Sequence, residues 1–350
     1  MRVVYSHNYS ATGIRAQVAA RRYPVQHMYG AQAFESAEHV LLTTDHRGDH
    51  PLARLSERAL RLRAGDLRDE WSILRLRPRV DLIFAGEPLH VAGLAQLPGN
   101  RRPPLVSVFH QPAPTTPWWR RVVAGFDGIA CLSSRVRDQL ISEHGRDPAT
   151  TVALPWGPDR SPDIYPCSDP GDVVVAAGKT GRDFTTLVRA LQMSPVPARL
   201  WTSRAGLPDV PAGVEVVEPR TAAADPGAAA RQFAWVEARD ALAAAAVIAI
   251  PLVSADRLIG LSELADALAL GRPVVMTRNP YIDVDLDAIG CGRFVDVGDV
   301  AGWAKALDEL MSDPQLRGEM GAAGRRYVDE TWNSDAFARG VLDLCTAVAR

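Results

Sequence analysis

The sequence predicts an α/β protein with two Rossmann-like domains that face a central cleft. Short apolar, β-branched runs alternate with helical patterns along the whole chain, which is typical of parallel sheets covered by helices on both faces. The series occurs twice, and residues 157–172 between the two are rich in Pro, Asp and Gly without periodicity, as expected of a linker. With 350 residues, the chain is long enough for two ordinary hydrophobic cores.

The strands and helices can be placed in order along the chain. The first series contains predicted strands at residues 2–7, 39–44, 80–86, 104–110, 127–133 and 151–157. The second contains strands at residues 172–178, 198–203, 214–217, 247–252, 272–277 and 293–297. The chain ends in helices, for which Asp299 and Ser334 are predicted N-caps and Pro314 suits a first turn.

These elements define three parts of the chain. Residues 1–160 are predicted to form an N-terminal, acceptor-binding Rossmann-like domain, and residues 161–333 a C-terminal domain for a nucleotide-sugar donor. Residues 334–350 form a final helix that is expected to pack back on the N-terminal domain.

The composition excludes several classes of protein. Hydrophobic residues make up 47% and charged residues 23% of the chain, which is ordinary for a soluble globular protein. No apolar run is long enough to span a membrane and the first residues lack the apolar core of a signal peptide, so a cytoplasmic protein is expected. The four cysteines lack the spacing of a metal site or a disulfide framework. The preference for Arg over Lys favours a GC-rich bacterial genome.

Charge is distributed unevenly between the two halves. Residues 1–155 hold 20 basic and 14 acidic groups and all eight histidines, whereas the remainder holds 19 basic and 27 acidic groups. This asymmetry favours domains with different partners, and no nucleic-acid partner is expected. The stretch 52–79 carries eight arginines. It is interpreted either as a peripheral contact with an anionic membrane or as a solvated helix pair balanced by Glu57, Asp66, Asp69 and Glu70.

A Gly-Lys-Thr sequence lies at a predicted strand–turn–helix junction in residues 173–191. A P-loop would require a glycine at position 173, which is Val, so this junction is not a P-loop. Lys179 and Arg182 still follow a buried strand and precede a helix N-terminus. Two cations beside such a terminus predict a diphosphate site that needs no metal, with a solvated basic turn as the alternative.

A second candidate lies at the start of the predicted helix within residues 260–271. Ser262 is a predicted cap, and Glu263 lies in the first turn, where the helix dipole favours a carboxylate. At the mouth of a sheet, such a carboxylate can accept hydrogen bonds from both hydroxyls of a ribose. The alternative is a surface glutamate that only offsets the dipole.

Two loops of the first half are also candidates. His110 ends a strand and enters a Pro-rich loop on the side of the predicted cleft, which favours contact with a substrate, although a structural histidine is the alternative. Residues 153–160, with Trp156, Gly157 and Asp159, close the last strand of the first domain and are interpreted as a packing and hinge element.

Four segments together resemble the retaining nucleotide-sugar glycosyltransferases of the GT-B architecture (glycosyltransferase family 4-like, glycosyl transferases group 1). They are residues 173–191, 247–277, 153–160 and 298–328. The resemblance spans nearly the whole chain and is strongest from Ala153 onward. It implies metal-independent transfer of a sugar, with retention of anomeric configuration, from a nucleoside-diphosphate-sugar to a small-molecule, lipid or glycan acceptor, without a cofactor.

The resemblance also implies roles for individual residues. Lys179 and Arg182 match the basic pair that contacts the donor diphosphate. Glu263 matches the second acid of the family's Glu-x7-Glu motif, which binds the ribose, and His110 matches a histidine near the transferred sugar. The loop beside the donor sugar contributes Asp256, Gly260, Leu261 and Ser262.

The chain departs from the family pattern in several places. The first acid of Glu-x7-Glu is replaced by Ala255, with Asp256 one residue late, and Lys179 and Arg182 are interchanged relative to the usual Arg and Lys. The opening loop offers Gly13 but no paired glycines. A catalytically silent glycosyltransferase-like subunit or binding protein, and a sugar-nucleotide epimerase, therefore stay open as alternatives.

One further motif suggests a metal site. Asp283, Asp285 and Asp287 form two overlapping Asp-x-Asp sequences, a pattern that holds a metal with the donor in another glycosyltransferase architecture. Here the pattern follows a strand of a two-Rossmann chain, and no metal site is expected.

Overall fold

The computed structural model describes residues 1–8, 10–44, 67–178, 180–218 and 228–350. Contacts divide the chain into two compact units. The first comprises Met1–Ala20, Val25–Trp156 and Ser334–Arg350, and the second comprises Arg21–Pro24 and Gly157–Asn333. Each unit contains a parallel six-stranded sheet with helices around it, which confirms the predicted two-Rossmann fold.

The sheet of the first unit has the strand order β2-β1-β3-β4-β5-β6. Its strands are β1 (Arg2–Ser6), β2 (Val40–Thr43), β3 (Leu82–Ala85), β4 (Leu105–Phe109), β5 (Gly128–Cys131) and β6 (Thr151–Ala153). The helices before the C-terminal one are α1 (Ala11–Ala19), α2 (Gln32–Ser36), α3 (Leu67–Leu76), α4 (Ala92–Ala95), α5 (Pro117–Ala124) and α6 (Ser134–His144). Short 3₁₀ helices cover Val25–Met28, Arg77–Arg79, Pro88–Val91 and Gly99–Arg101.

The sheet of the second unit has the order β12-β11-β10-β7-β8-β9. Its strands are β7 (Val174–Ala176), β8 (Ala198–Trp201), β9 (Val214–Val217), β10 (Val247–Ile250), β11 (Val274–Thr277) and β12 (Gly292–Val295). Its helices are α7 (Phe184–Met193), α8 (Ala228–Ala243), α9 (Leu261–Ala269), α10 (Leu286–Ile289), α11 (Val300–Ser312) and α12 (Pro314–Glu330). Asp299 caps α11 and Pro314 opens α12, as predicted, whereas Ser334 is the first residue of the C-terminal helix and not its cap.

The C-terminal helix α13 (Ser334–Val348) is part of the first unit, where it packs against α2 and β5. A Cβ atom at Gly30 would lie 3.0 Å from the side chain of Val341, and one at Gly128 would lie 3.0 Å from Val348. The helix therefore supports both the segment that follows Tyr29 and strand β5 of the first sheet.

Each sheet is stabilised by apolar strands that are buried on both faces. All residues of β3, β4 and β5 are buried, as are those of β7, β10 and β11. Burial of these apolar runs, at about 25 cal/mol per Å², is the main favourable contribution to folding. Within the described ranges, no helix combines the length and apolar character needed to cross a membrane.

Candidate functional site

The strand order identifies where each unit can bind a ligand. In the second unit, the chain runs outward from β7 through β8 to β9 and then continues on the other side of β7 at β10. In the first unit, the order reverses between β1 and β3. Ligands of doubly wound sheets bind outside the carboxyl ends of the strands at such switch points. The relevant loops therefore follow β7, β10, β1 and β3.

The loop after β7 carries the predicted diphosphate site. Gly178, near the start of this loop, has φ +107°, a conformation that L side chains rarely adopt. Asp183 then caps α7, since its carboxylate accepts a hydrogen bond from Thr186 N at 2.9 Å. Lys179, the other predicted cation, lies outside the described residues.

Arg182 and Glu263 meet at this switch point. Arg182 Nη2 donates to Glu263 Oε2 at 2.5 Å and Nε donates to the same oxygen at 3.0 Å, while Ala177 N donates to Oε1 at 3.2 Å. Both side chains are nearly buried, with 7% and 6% of their surface exposed. The structure thus brings the predicted diphosphate cation and the predicted ribose acid together as a buried ion pair.

The electrostatic state of this pair depends on two opposing effects. Burial raises the pKa of Glu263 above its ordinary value, while Arg182 and the Ala177 amide act in the opposite direction.

Three of the five N–H groups of Arg182 donate to partners in the described residues. One Nη2–H donates to Glu263, one Nη1–H donates to Thr180 O at 2.8 Å, and the Nε–H is shared between Glu263 and Ala177 O. The other two N–H groups have no partner among the described residues and could donate to a ligand without rupture of the pair.

The loop after β10 leads into α9. The prediction that Ser262 caps this helix is wrong: the N-cap is Gly260 with φ +88°, and Ser262 is an exposed residue of the first turn. Gly260, with its left-handed backbone, is the cap, so α9 begins at Leu261 and Ser262 is already its second residue. Asp256 is exposed, and its carboxylate accepts a hydrogen bond from Ser254 Oγ at 2.7 Å, which lowers its pKa.

Sequence reasoning missed a second carboxylate on α9. Asp266 is buried one helical turn beyond Glu263 and accepts a hydrogen bond from Tyr165 Oη at 2.5 Å. Burial, with a smaller contribution from the charge of Glu263, raises the pKa of Asp266 to about 7. The i, i+3 spacing of the two acids places them on one helix face and could have indicated the pair.

His110 lies at the carboxyl end of β4 in the first unit. Its Nε2–H donates to Gly86 O at 2.8 Å, and Gly86 directly follows β3 at the switch point. Burial lowers the pKa of His110 to about 4, so the imidazole is neutral near pH 7. With Nε2 as donor, Nδ1 of the neutral ring is an acceptor.

Two further side chains join His110, and sequence reasoning did not single them out. Tyr29 stacks on His110 with ring centroids 4.5 Å apart and on His7 at 5.2 Å. His7 directly follows β1 and is 1% exposed. Gly86 is required beside it, because an added Cβ would lie 2.1 Å from His7 Cδ2. His7 ended a predicted strand just as His110 did, so the same signal was present.

The other predicted features are located as follows. Trp156 is buried in the first unit and donates from Nε1 to Gln26 O at 3.1 Å, so it packs there. Asp159 accepts a hydrogen bond from Ser161 N. In the Asp-x-Asp loop, Asp285 caps α10. Among the residues that the structure describes, no cluster of three or more His, Cys, Asp or Glu side chains could hold a metal ion.

Three histidines with lowered pKa values predict acid sensitivity of the first unit. Burial lowers the pKa values of His7, His27 and His110 from 6.5 to about 3, 4 and 4, so below pH 6.5 the unfolded chain binds protons that the native unit does not. Stability is therefore lost as the pH falls from 6.5 toward 4, by at most about 1.4 kcal/mol per pKa unit and group. The loss of stability can be measured by hydrogen exchange of the β1–β5 amides at pH 7 and pH 5, with correction for the intrinsic exchange rates.

Asp266 provides an internal comparison for that experiment. Its raised pKa means that the native second unit binds a proton more tightly than the unfolded chain, so its contribution is present at low pH and is lost as the pH rises through about 7. The second unit should consequently lose less stability than the first on acidification. Equal destabilisation of both sheets, or a first unit unaffected at pH 5, would contradict the prediction.

Comparisons with known proteins bear on the fold. No protein-family model and no curated protein sequence matches the chain. HepE from Anabaena, solved with UDP, is 14% identical, with 99% of this chain and 100% of that chain covered and a TM-score of 0.66. Sucrose-phosphate synthase from Thermosynechococcus elongatus is 14% identical, with 99% of each chain covered and a TM-score of 0.66. A proposed UDP-N-acetylglucosamine 2-epimerase from Listeria monocytogenes is 12% identical, with coverages of 97% and 94% and a TM-score of 0.52. The chain has the GT-B fold.

Proposed function

We propose that this protein is a glycosyltransferase that moves a sugar from a nucleoside-diphosphate-sugar to an acceptor, with retention of anomeric configuration and without a metal ion. The second unit binds the donor nucleotide, and the first unit binds a small-molecule, lipid or glycan acceptor. The observation that carries the proposal is the Arg182–Glu263 pair at the switch point of the second sheet. The likeness in fold to HepE, which was solved with UDP, supports it.

In the proposed reaction, Arg182 binds and stabilises the diphosphate. When the bond between the sugar and the diphosphate breaks, negative charge increases on the departing oxygen, and a fixed guanidinium stabilises that charge. Its pairing with Glu263 holds the guanidinium in one orientation before the donor arrives. Lys179 is the second proposed cation of this site.

Glu263 has the proposed role of ribose ligand. Its carboxylate accepts three hydrogen bonds within the second unit, from Arg182 twice and from Ala177 N, and a carboxylate offers about four acceptor positions. One position on Oε1 therefore remains for a ribose hydroxyl. The loop residues Asp256, Gly260, Leu261 and Ser262 have the proposed position beside the donor sugar.

His110 has the proposed role of contacting the transferred sugar. As a neutral ring anchored through Nε2 to Gly86, it offers Nδ1 to a sugar hydroxyl rather than a positive charge. A neutral acceptor suits a sugar hydroxyl, because the hydroxyl O–H can donate a hydrogen bond to Nδ1.

Two other functions compete with this proposal. The likeness to the Listeria protein makes a sugar-nucleotide epimerase a candidate, although that likeness concerns the fold. Ala255, half-buried in the loop after β10, provides no carboxylate for the donor sugar, which favours a silent glycosyltransferase-like subunit that binds without turnover. The three functions differ in what happens to a bound donor.

The test combines binding with donor turnover. A thermal-shift panel of UDP-, GDP- and dTDP-sugars is expected to identify one nucleotide that stabilises the protein, by about 2.7 kcal/mol at 100 times its dissociation constant. That donor should then release nucleoside diphosphate slowly in water, equally with and without chelator. Interconversion of sugars without release would favour the epimerase, and binding without any reaction the silent subunit. Strict dependence on Mn²⁺ or Mg²⁺ would instead direct attention to the loop from Asp283 to Asp287.

A further inference from the structure

In helix α3 of the first unit, the acidic side chains are buried and the basic side chain that the structure describes is exposed. Its two acidic residues face inward: Asp69 is 2% exposed and Glu70 is 5% exposed. His90 Nε2 lies 2.6 Å from Asp69 Oδ2, and the amides of Gly93 and Leu94 donate to Glu70 Oε1 at 2.6 and 3.0 Å. Both carboxylates are thus engaged by groups of the first unit, and they cannot balance charge on the outer surface of the helix.

The outer surface carries the opposite charge and a large aromatic ring. Trp71 is 59% exposed, and the guanidinium of Arg75 lies 5.3 Å from the centre of its ring. Arg77 and Arg79, which follow directly after the helix, are also exposed. We call Trp71 and Arg75, together with Arg77 and Arg79, the α3 face.

For the residues that the structure describes, the burial of Asp69 and Glu70 favours the membrane interpretation of this basic stretch over the solvated helix pair. In a solvated helix, acids alternate with arginines on the water side, and Asp69 and Glu70 were the acids available for that purpose in α3. They are buried instead. Glu57 and Asp66, the other two acids of that interpretation, lie outside the described residues.

We infer that the α3 face docks the first unit on an anionic lipid bilayer. Tryptophan is enriched at the interface between headgroups and acyl chains, where its ring is buried while its N–H stays hydrated. Arginine can lay its aliphatic stem along the apolar layer while the guanidinium binds lipid phosphates. An exposed Trp, with Arg75 over its ring and two further exposed arginines directly after the helix, matches this chemistry. The α3 face has no proposed part in donor binding. Its test therefore needs no measurement of turnover.

The experiment is co-sedimentation of the full chain with vesicles of phosphatidylcholine, with and without phosphatidylglycerol. Binding is expected only with the anionic lipid, and it should be lost at about 1 M salt, where the Debye length is about 3 Å. Arg75→Glu changes two charge units and should weaken binding about twenty-five-fold, from about five-fold per charge. Trp71→Ser should also weaken it. Matched variants on exposed sites of the second unit, Arg189→Glu and Met193→Ser, should bind as the wild type does.

A second readout locates the contact. Lipids with brominated acyl chains should quench tryptophan fluorescence of the bound wild type, and Trp71→Phe should keep the binding but lose most of the quenching, although seven other tryptophans remain. Absence of binding at low salt would overturn the inference, and would leave an acidic protein surface as the occupant. Undiminished quenching in Trp71→Phe, or unchanged binding of Arg75→Glu, would overturn it as well.

Discussion

Replacement of Arg182 with alanine is expected to abolish sugar transfer and to lower the free energy of unfolding of the second unit by about 3–5 kcal/mol. The reason is the buried ion pair: removal of one partner leaves the carboxylate of Glu263 buried without its compensating charge. The same change removes the guanidinium proposed to bind the diphosphate. Urea unfolding and calorimetry with the nucleoside diphosphate measure the two consequences separately.

A double variant separates the structural role of the pair from its role in binding. Arg182→Met combined with Glu263→Leu replaces the ion pair by apolar side chains of similar volume, which is often neutral or stabilising. The double variant should therefore unfold at close to the wild-type urea concentration while it still fails to bind nucleotide. Wild-type affinity in this double variant would show that neither residue contacts the donor.

Glu263→Gln tests the ribose assignment together with the orientation of Arg182, which Glu263 holds. We expect this change to weaken binding of the nucleoside diphosphate by about 1.5–3 kcal/mol, the value of a hydrogen bond to a charged group. Asp266→Asn is the matched comparison, since both carboxylates are buried on the same face of α9. If Asp266→Asn weakens binding and Glu263→Gln does not, the ribose ligand lies one helical turn further along.

Hydrophobic patterning predicted the strands well because most of them contain buried apolar residues, and six are buried along their whole length. The predicted strand at 80–86 corresponds to β3 at Leu82–Ala85, and that at 247–252 to β10 at Val247–Ile250. The predicted ends extend too far, since residues such as His7 and Gly86 continue the pattern but belong to the loops. Those overextended ends carry the candidate site of the first unit.

The pairings within the site could not be predicted from the sequence. Arg182 and Glu263 are 81 positions apart, and their contact depends on β7 and β10 being neighbours, which no local pattern determines. The stacking of Tyr29 between two histidines similarly depends on three separate loops of the first unit. The misplaced cap at Ser262 has a different cause: a left-handed glycine can start a helix without any side-chain cap.

Gly86→Ala is expected to disturb the site of the first unit strongly while the second unit keeps its affinity for nucleotide. The added Cβ would lie 2.1 Å from His7 Cδ2 and 3.1 Å from Tyr5 Oη, so the imidazole must move. That ring stacks on Tyr29, which in turn stacks on His110, so the displacement reaches the residue proposed to contact the sugar. Overpacking of this kind costs roughly 1–3 kcal/mol of stability.

The partner variant His7→Ala shows whether the clash is the cause. Alone, it should destabilise the first unit by leaving a cavity, but in combination with Gly86→Ala the new methyl group occupies part of the space that the ring leaves. The double variant should then be more stable than the sum of the single effects predicts. Gly99→Ala is the control, because an added Cβ there meets no atom within 4 Å. Strict additivity of the two changes, or a loss of turnover in Gly99→Ala as large as in Gly86→Ala, would mean that the contact between Gly86 and His7 does not position His110.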